Sequence, residues 1–339
     1  MKGIARAHTN IALIKYWGKA DEALFLPMNS SLSLTLDAFY TDTKVVFDPT
    51  LTADSFYLNG IKEDASDITR FLNLFRETMN EPLFARVDSY NFVPTAAGLA
   101  SSASAYAALA HAVNVALDLN LDMQTLSTYA RRGSGSATRS IFGGFTQWEK
   151  GVDNNTSKAI FIDDASWDIG MVIIVVNSAK KAISSREGMK KTVNTSPFYP
   201  AWQSSAAVDL ENMKTAIQTR NFQTLGEITE FNGMKMHATM LGTNPPICYF
   251  EPNSILAQQH VRLLREKGIP AYFTMDAGPN VKVLCRASDM DKIMSHLSNV
   301  FPKEQLIASL PGKGVQTLSQ SEFDESVAKF SAQTRKETV

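Results

Sequence analysis

The sequence predicts an α+β fold in two halves, and three observations carry that expectation. Strand-like and helix-like segments both occur, but without the steady alternation that builds a parallel doubly wound sheet. At 339 residues the chain is longer than the roughly 250–300 residues over which a single core grows. A continuous apolar run, Gly170 to Val176, gives way to a polar, basic stretch over Asn177 to Arg186. That change sets the expected halves at residues 1–180 and 181–325, with a polar tail over 326–339.

The elements follow in chain order. Asn10-Ile-Ala-Leu-Ile-Lys-Tyr-Trp-Gly-Lys19 reads as extended chain. Lys15 and Lys19, an even number of residues apart, then share a face, and Tyr16 points the other way unless Gly18 bends the strand. Val45–Phe47, Phe56–Leu58 and Phe84–Val93 read as short strands with alternating or β-branched apolar positions. Asp67–Met79 reads as an amphipathic helix burying Ile68, Phe71, Leu72 and Phe75, and the alanine-rich Ala105–Leu117 as another helix. Gly170–Val176 is short and apolar enough for a buried strand. Beyond it, Ala207–Arg220 and Phe222–Met240 are helical by period. Ile255–Lys267 is a helix with Ser254 as N-cap and Gly268 as its stop. Ala271–Met275 and Val281–Cys285 are two strands around the turn Asp276-Ala-Gly-Pro-Asn280. Met290–Val300 is a last amphipathic helix, and the charged stretch after Leu318 is expected to be poorly ordered.

Bulk properties narrow the function classes. A hydrophobic share of 44% with 20% charged residues is that of a soluble globular protein. The formal net charge of −1 argues against a general binder of nucleic acid or anionic membrane, so any basic site is local. No apolar run approaches the ~20 residues that span a bilayer, and Met1-Lys-Gly-Ile-Ala-Arg6 has no signal-like apolar core. Cys248 and Cys285 make neither a disulfide framework nor a metal cluster, and the five histidines lack metal-ligand spacing. A cytoplasmic, metal-poor enzyme is expected.

Five clusters could carry chemistry. Pro94-Thr-Ala-Ala-Gly-Leu-Ala-Ser-Ser-Ala-Ser104 is a run of small residues opening a helix, the pattern of a phosphate cradle. Its small Pro94, Ala97, Gly98, Leu99 and Ala100 segment lets an anion approach the backbone, and the hydroxyls of Ser101, Ser102 and Ser104 add donors or a magnesium ligand. It lacks the glycine–lysine–serine ending of a P-loop, and the same pattern also suits a helix start with ordinary serine caps. Lys15 and Lys19 form either an oxyanion-binding wall or a solvated edge. Ser134-Gly-Ser-Ala-Thr-Arg139 brings two hydroxyls, Ser134 and Ser136, and the bidentate guanidinium of Arg139 to a glycine turn. Lys180, Lys181, Ser184, Ser185 and Arg186 place positive charge at the boundary between halves, where clefts form. Asp276 is either a turn-capping aspartate or the base that phosphoryl transfer requires. His237, on an apolar helix, reads as a packed residue.

These blocks, in this order, resemble a known family. Asn91–Ser104 resembles the ATP loop of the GHMP kinase superfamily. Asn10–Lys19, Leu26-Pro-Met-Asn-Ser-Ser-Leu-Ser33, Ser134–Arg139 and Met275–Asn280 are similar to the mevalonate diphosphate decarboxylase branch. The resemblance implies a ribosomal-protein-S5-like N-terminal domain, a ferredoxin-like C-terminal domain and a site between them. It implies ATP and Mg²⁺ at Ser101, Ser102 and Ser104, and a substrate diphosphate gripped by Tyr16, Lys19, Ser134, Ser185 and Arg186. It places Asn10 and Arg139 at the carboxylate end and Asp276 beside the tertiary hydroxyl. Lys180 or Lys181 would neutralise the transferring phosphoryl group, with the choice between them open. A homodimer is also implied. Thr138 stands where many relatives carry cysteine, and Ala7-His8-Thr9 where eukaryotic members have Ala-Pro-Val, which suggests a bacterial branch. The rival readings are a sibling kinase or decarboxylase acting on mevalonate or its monophosphate, and a non-catalytic phosphometabolite sensor.

Overall fold

The structure, a computed structural model, describes residues 1–79, 81–93, 101–177 and 183–337. The first half runs β1 (Lys2–Ile14), β2 (Lys19–Asp21), β3 (Leu26–Pro27), β4 (Ser31–Phe47), β5 (Ser55–Leu58), β6 (Ile61–Glu63), α1 (Ser66–Arg76), β7 (Ala85–Asn91), α2 (Ser101–Ala116), α3 (Met123–Gly133), β8 (Phe145–Trp148) and β9 (Ala159–Asp163). The second continues with β10 (Gly170–Ile174), α4 (Ser185–Thr195), α5 (Tyr199–Gln218), α6 (Phe222–Leu241), α7 (Pro252–Glu266), β11 (Ala271–Met275), β12 (Val281–Cys285), α8 (Met290–Leu297), β13 (Leu306–Ser309), β14 (Gln316–Thr317) and α9 (Gln320–Glu337).

The first sheet is built around the long antiparallel pair β1–β4. β4 is long enough to take two partners on its other edge, β8 along Ser31–Leu34 and β7 along Thr41–Phe47. One face carries α1, α2 and α3, with Phe71, Leu72 and Phe75 of α1 in one apolar cluster with Val45 and Phe47 of β4. Alanines on α2 and Gly3 on β1 let helix and strand touch, since a Cβ on Gly3 would stand 2.0 Å from the carbonyl oxygen of Ala112.

The second sheet, β11-β12-β10-β13, is wholly antiparallel and alternates cleanly. Val172, Ile174, Phe273 and Val283 face α7 and α8. Met171, Ile173, Tyr272 and Leu284 face α5 and α6, whose other neighbours include Ile11, Leu13, Leu32 and Leu34 of the first sheet. One apolar cluster therefore joins the two sheets through the α5–α6 layer.

Several expectations need correction. β1 lies inside the sheet between β14 and β4, and its residues after Lys2 are largely buried, so Lys15 is no edge lysine. β10 pairs with β12 and β13, so the chain changes sheets between Asp163 and Gly170, upstream of the 180/181 division. After β13 the chain returns to the first sheet through β14. The tail is a helix. Phe323 is buried, and Phe330 packs edge-on against Tyr90 and Phe92, which gives α9 an apolar stripe docked on β7 that its charge content conceals. Glu251, not Ser254, caps α7; Ser254 closes the reciprocal capping box from the third helical position. Helix α5 starts at Tyr199, earlier than its period suggests, because Pro200 fits a first helical turn.

Candidate active site

A cleft of about 440 Å³ opens where the end of β1, the turn after α3, the start of α4 and the turn after β11 converge. Asn10, Lys15, Tyr16, Lys19, Ser102, Ser134, Ser136, Arg139, Ser185, Arg186 and Asp276 all line it. These residues span most of the chain, and the fold brings them to one place.

Lys15 and Lys19 reach the cleft by a different route from the shared face expected of a strand. β1 stops at Ile14, and Gly18 takes φ +102°, turning the chain back so that Lys15 to Lys19 wrap one wall. The Tyr199 hydroxyl holds that wrap by donating to the carbonyl of Trp17 at 2.6 Å. Lys19 lies over the Phe25 ring, 3.9 Å from its centroid, and pairs with Glu22 at 2.9 Å. The Tyr16 ring packs on Trp148, and its buried hydroxyl has no hydrogen-bond partner among the described residues. Burial raises its pKa, so the phenol stays a neutral donor.

Asp276 follows β11 in a tightly anchored turn. Ser254 donates to the carbonyl of Pro279 at 2.6 Å, and the Asn280 side-chain oxygen accepts from the amides of Val176 and Asn177 at 2.8 and 3.0 Å. The carboxylate receives one ammonium per oxygen: Lys15 Nζ stands 2.8 Å from Oδ1 and Lys282 Nζ 3.2 Å from Oδ2. Burial pushes the Asp276 pKa up, but the two lysines outweigh it and hold the carboxyl well below the usual range. The Lys15 ammonium is lowered by its own burial against the pull of Asp276, and it also donates to the carbonyl of Ala12 at 2.8 Å.

Arg139 stands on a 3₁₀ turn, Gly135–Ser140, and is buried. Its guanidinium donates to Ser31 Oγ at 2.6 Å and to Asn10 Oδ1 at 3.3 Å. The Asn10 amide nitrogen donates in turn to the carbonyl of Ser136 and to Ser140 Oγ, so Asn10 orients the arginine. Among the described residues no carboxylate lies within ion-pair distance of Arg139. Burial brings its pKa down to about 10, which leaves a cation at neutral pH in want of an anion. Gly135 permits this packing, because a Cβ there would lie 2.7 Å from the Trp148 ring.

The hydroxyls of Ser102, Ser134 and Ser136 form a line, with spacings of 3.1 and 3.2 Å, from the start of α2 to the glycine turn. Ser185 and Arg186 start α4, whose N-cap is Ser184. Ser101 is half-buried at the start of α2 and does not line the cleft. Ser104 is turned away: it is fully buried and hydrogen-bonded to Thr41 of β4 at 2.8 Å. Pro94, Ala97, Gly98, Leu99, Ala100, Lys180 and Lys181 lie outside the described residues. His237 is packed as expected, buried and stacked on Phe250.

Reading the sequence alone misses Lys282 and the α1 wall of the cleft, where Arg70 pairs with Asp67; Arg132, just before the Ser134–Arg139 block, lines the cleft as well. Lys282 does leave a signal. It occupies an inward position of the apolar strand Val281–Cys285, where a lysine needs a partner. Among the described residues no group of three or more histidine, cysteine or acidic side chains could hold a metal.

Two sheets bridged by a helical layer, with a cation-rich cleft at one margin, define a two-domain α+β enzyme of the GHMP kinase class. Residues 7–159 match the diphosphomevalonate decarboxylase-like N-terminal domain, and residues 171–338 match the mevalonate 5-diphosphate decarboxylase C-terminal domain. The diphosphomevalonate decarboxylase of Ganoderma lucidum is 35% identical over 96% of this chain and 89% of its own. The mevalonate diphosphate decarboxylase structure from Staphylococcus aureus superposes with a TM-score of 0.91 at 48% identity, over 94% of this chain and 98% of that one. A structure described as MDDEF in complex with MVAPP, AMPPCP and magnesium gives a TM-score of 0.89 at 54% identity, over 94% and 99% of the two chains. The chain belongs to the diphosphomevalonate decarboxylase family.

Proposed function

We propose that this chain converts mevalonate 5-diphosphate and ATP to isopentenyl diphosphate, ADP, phosphate and CO₂, and that the residues lining the cleft divide that work among them. The observation that carries this is the juxtaposition of Asp276, held ionised by two lysines, with Arg139, a buried cation with no carboxylate at ion-pair distance among the described residues.

The tertiary 3-hydroxyl is a poor leaving group, so ATP phosphorylates it. Departure of phosphate develops positive charge on the tertiary carbon. The C–C bond electrons released with CO₂ then form the double bond. An ionised Asp276 accepts a hydrogen bond from the hydroxyl, orienting it for attack, and afterwards faces the developing cation as counter-charge. Arg139, oriented by Asn10, holds the substrate carboxylate in a bidentate contact. Tyr16, Lys19, Ser134, Ser136, Ser185 and Arg186 grip the diphosphate at the far end, while Lys15 backs Asp276 at the reacting end. The fixed distance between these ends makes the reaction one of positioning and electrostatics.

ATP fits the start of α2, where Ser101 and Ser102 accompany the first-turn amides of a 16-residue helix. The family resemblance assigns nucleotide binding to Pro94, Ala97, Gly98, Leu99 and Ala100 as well, and neutralisation of the transferring phosphoryl group to Lys180 or Lys181. Mg²⁺ supplies charge neutralisation at the phosphates. Ser104 acts instead as an anchor of α2 on β4. No helix among the described residues is long and apolar enough to cross a membrane, and a cytoplasmic homodimer completes the proposal.

The test is parallel measurement of ADP and CO₂ release with Mg-ATP and each of mevalonate, its 5-phosphate and its 5-diphosphate. Equal ADP and CO₂ from the diphosphate alone is expected. ADP without CO₂ would make the protein a kinase, and silence with all three would make it a sensor.

A further inference from the structure

We infer that Lys282 is a positioning residue for the decarboxylation, fixing the Asp276 carboxylate from the side opposite Lys15; this rests on the role of Asp276 proposed above. Lys282 touches neither nucleotide nor substrate in that reading and does not line the cleft. It sits on β12 opposite Thr274 of β11, on the sheet face turned to α6, and is almost wholly buried at 1% exposure. A buried ammonium is costly unless paired. Lys282 has two acceptors, Asp276 Oδ2 and the carbonyl of Asn280, both at 3.2 Å. They lie at either end of the Asp276–Asn280 turn, so one side chain ties the turn together and sets the carboxylate plane.

A carboxylate held by one lysine can rotate about its Cβ–Cγ bond. One held at each oxygen by a different buried lysine cannot do so without breaking an ion pair. Its remaining lone pairs are thereby aimed at the cleft, towards which Asp276 keeps about a third of its side-chain surface exposed. The other charged or titratable groups facing this cluster are Arg139, Tyr16 and His237. Arg139 remains a cation, Tyr16 remains neutral, and burial holds His237 down at about 3, so none of them titrates between pH 5 and 8.

The experiment compares Lys282→Met, Lys282→Arg, Asp276→Asn and the Lys282→Met/Asp276→Asn pair. Steady-state kinetics is measured from pH 5 to 8, with nucleotide binding by calorimetry as the check on folding. Lys282→Met is expected to lower kcat by ~10²-fold with KM for the diphosphate changed less than about threefold. Lys282→Arg should recover part of kcat. In the Asp276→Asn background the methionine should cost little more, because its effect runs through the carboxylate. Additive losses or a raised KM with kcat unchanged would each overturn the inference, as would a Lys282→Met variant that no longer binds nucleotide. An active Asp276→Asn enzyme would instead overturn the role of Asp276 itself, so the two failures are distinguishable.

Discussion

Lys15, at the end of the first strand, and Asp276, after the eleventh, are 261 residues apart and meet at 2.8 Å. That contact joins the two sheets at the point where the cleft opens. Lys15 is buried and Asp276 partly exposed, so the pair presents a carboxylate backed by positive charge to whatever enters. Lys282 doubles that backing, giving three groups a net charge of +1.

Replacing Asp276 by Asn keeps its shape and removes its charge. Nucleotide affinity should stay within a few-fold of wild type, while turnover falls by ~10²–10⁴-fold, the range for a positioned acid–base group. Single-turnover ADP formation separates the phosphoryl-transfer step from product release. Turnover within about tenfold of wild type would show that the carboxylate does not serve the reacting hydroxyl.

Arg139→Lys retains a cation but loses the planar fork that now contacts Ser31 and Asn10. A shorter point charge cannot keep both contacts and hold a carboxylate as well. Loss of kcat/KM by roughly 10²-fold is expected, about 3 kcal/mol in transition-state binding. Asn10→Asp should partly mimic the defect, since a carboxylate beside Arg139 competes with the substrate for it. Unchanged kinetics in Arg139→Lys would reduce the arginine to a structural group.

How much of this was legible follows from the range of each interaction. The strands Ala271–Met275 and Val281–Cys285 are bounded by turn residues and packed on both faces, and the sequence marks their limits well. The site residues within one short block, Ser134 to Arg139, were also readable, because a glycine turn with hydroxyls and an arginine is a local signal. What escaped depends on distant partners. The helix over 320–337 looks like a solvated tail until Tyr90 and Phe92 supply the surface that covers Phe330. Ser104 looks like one more phosphate ligand until Thr41 takes its hydroxyl. Lys282 becomes significant only once a neighbouring strand places Asp276 beside it.

Gly18 offers a test of the wall itself. Its φ of +102° strains any L side chain, and a Cβ would lie 2.1 Å from the Tyr199 hydroxyl and 2.9 Å from Val193 Cγ2. Gly18→Ala should therefore destabilise by about 2 kcal/mol or more and raise KM for the diphosphate, because Tyr16 and Lys19 flank the bend. Chemical denaturation and initial-rate kinetics check the two effects separately. The second variant Tyr199→Phe removes the hydroxyl that braces Trp17 without adding volume, and should raise KM with a smaller loss of stability, about 1 kcal/mol. A Gly18→Ala protein as stable as wild type would mean that the bend relaxes freely.

His237 predicts a pH dependence of stability. Burial lowers its pKa from 6.5 to about 3, with Lys15 adding to the effect. The unfolded chain protonates this ring as pH falls through about 6.5, whereas the folded chain does so only near 3. The unfolded state therefore binds the extra proton throughout that window, and stability declines as pH is lowered across it, by up to about 1.4 kcal/mol per pH unit for one group. His8 and His111 are lowered in the same direction, so the informative quantity is the difference between two proteins rather than the wild-type slope. His237→Gln keeps a polar side chain at the site and removes the titration. Urea midpoints from pH 4 to 7 should fall less steeply in the variant than in wild type, even though the variant is the less stable protein at pH 7. Parallel curves would mean that the folded protein accommodates the imidazolium, and that the interior beside Lys15 and Asp276 is better solvated than its burial implies.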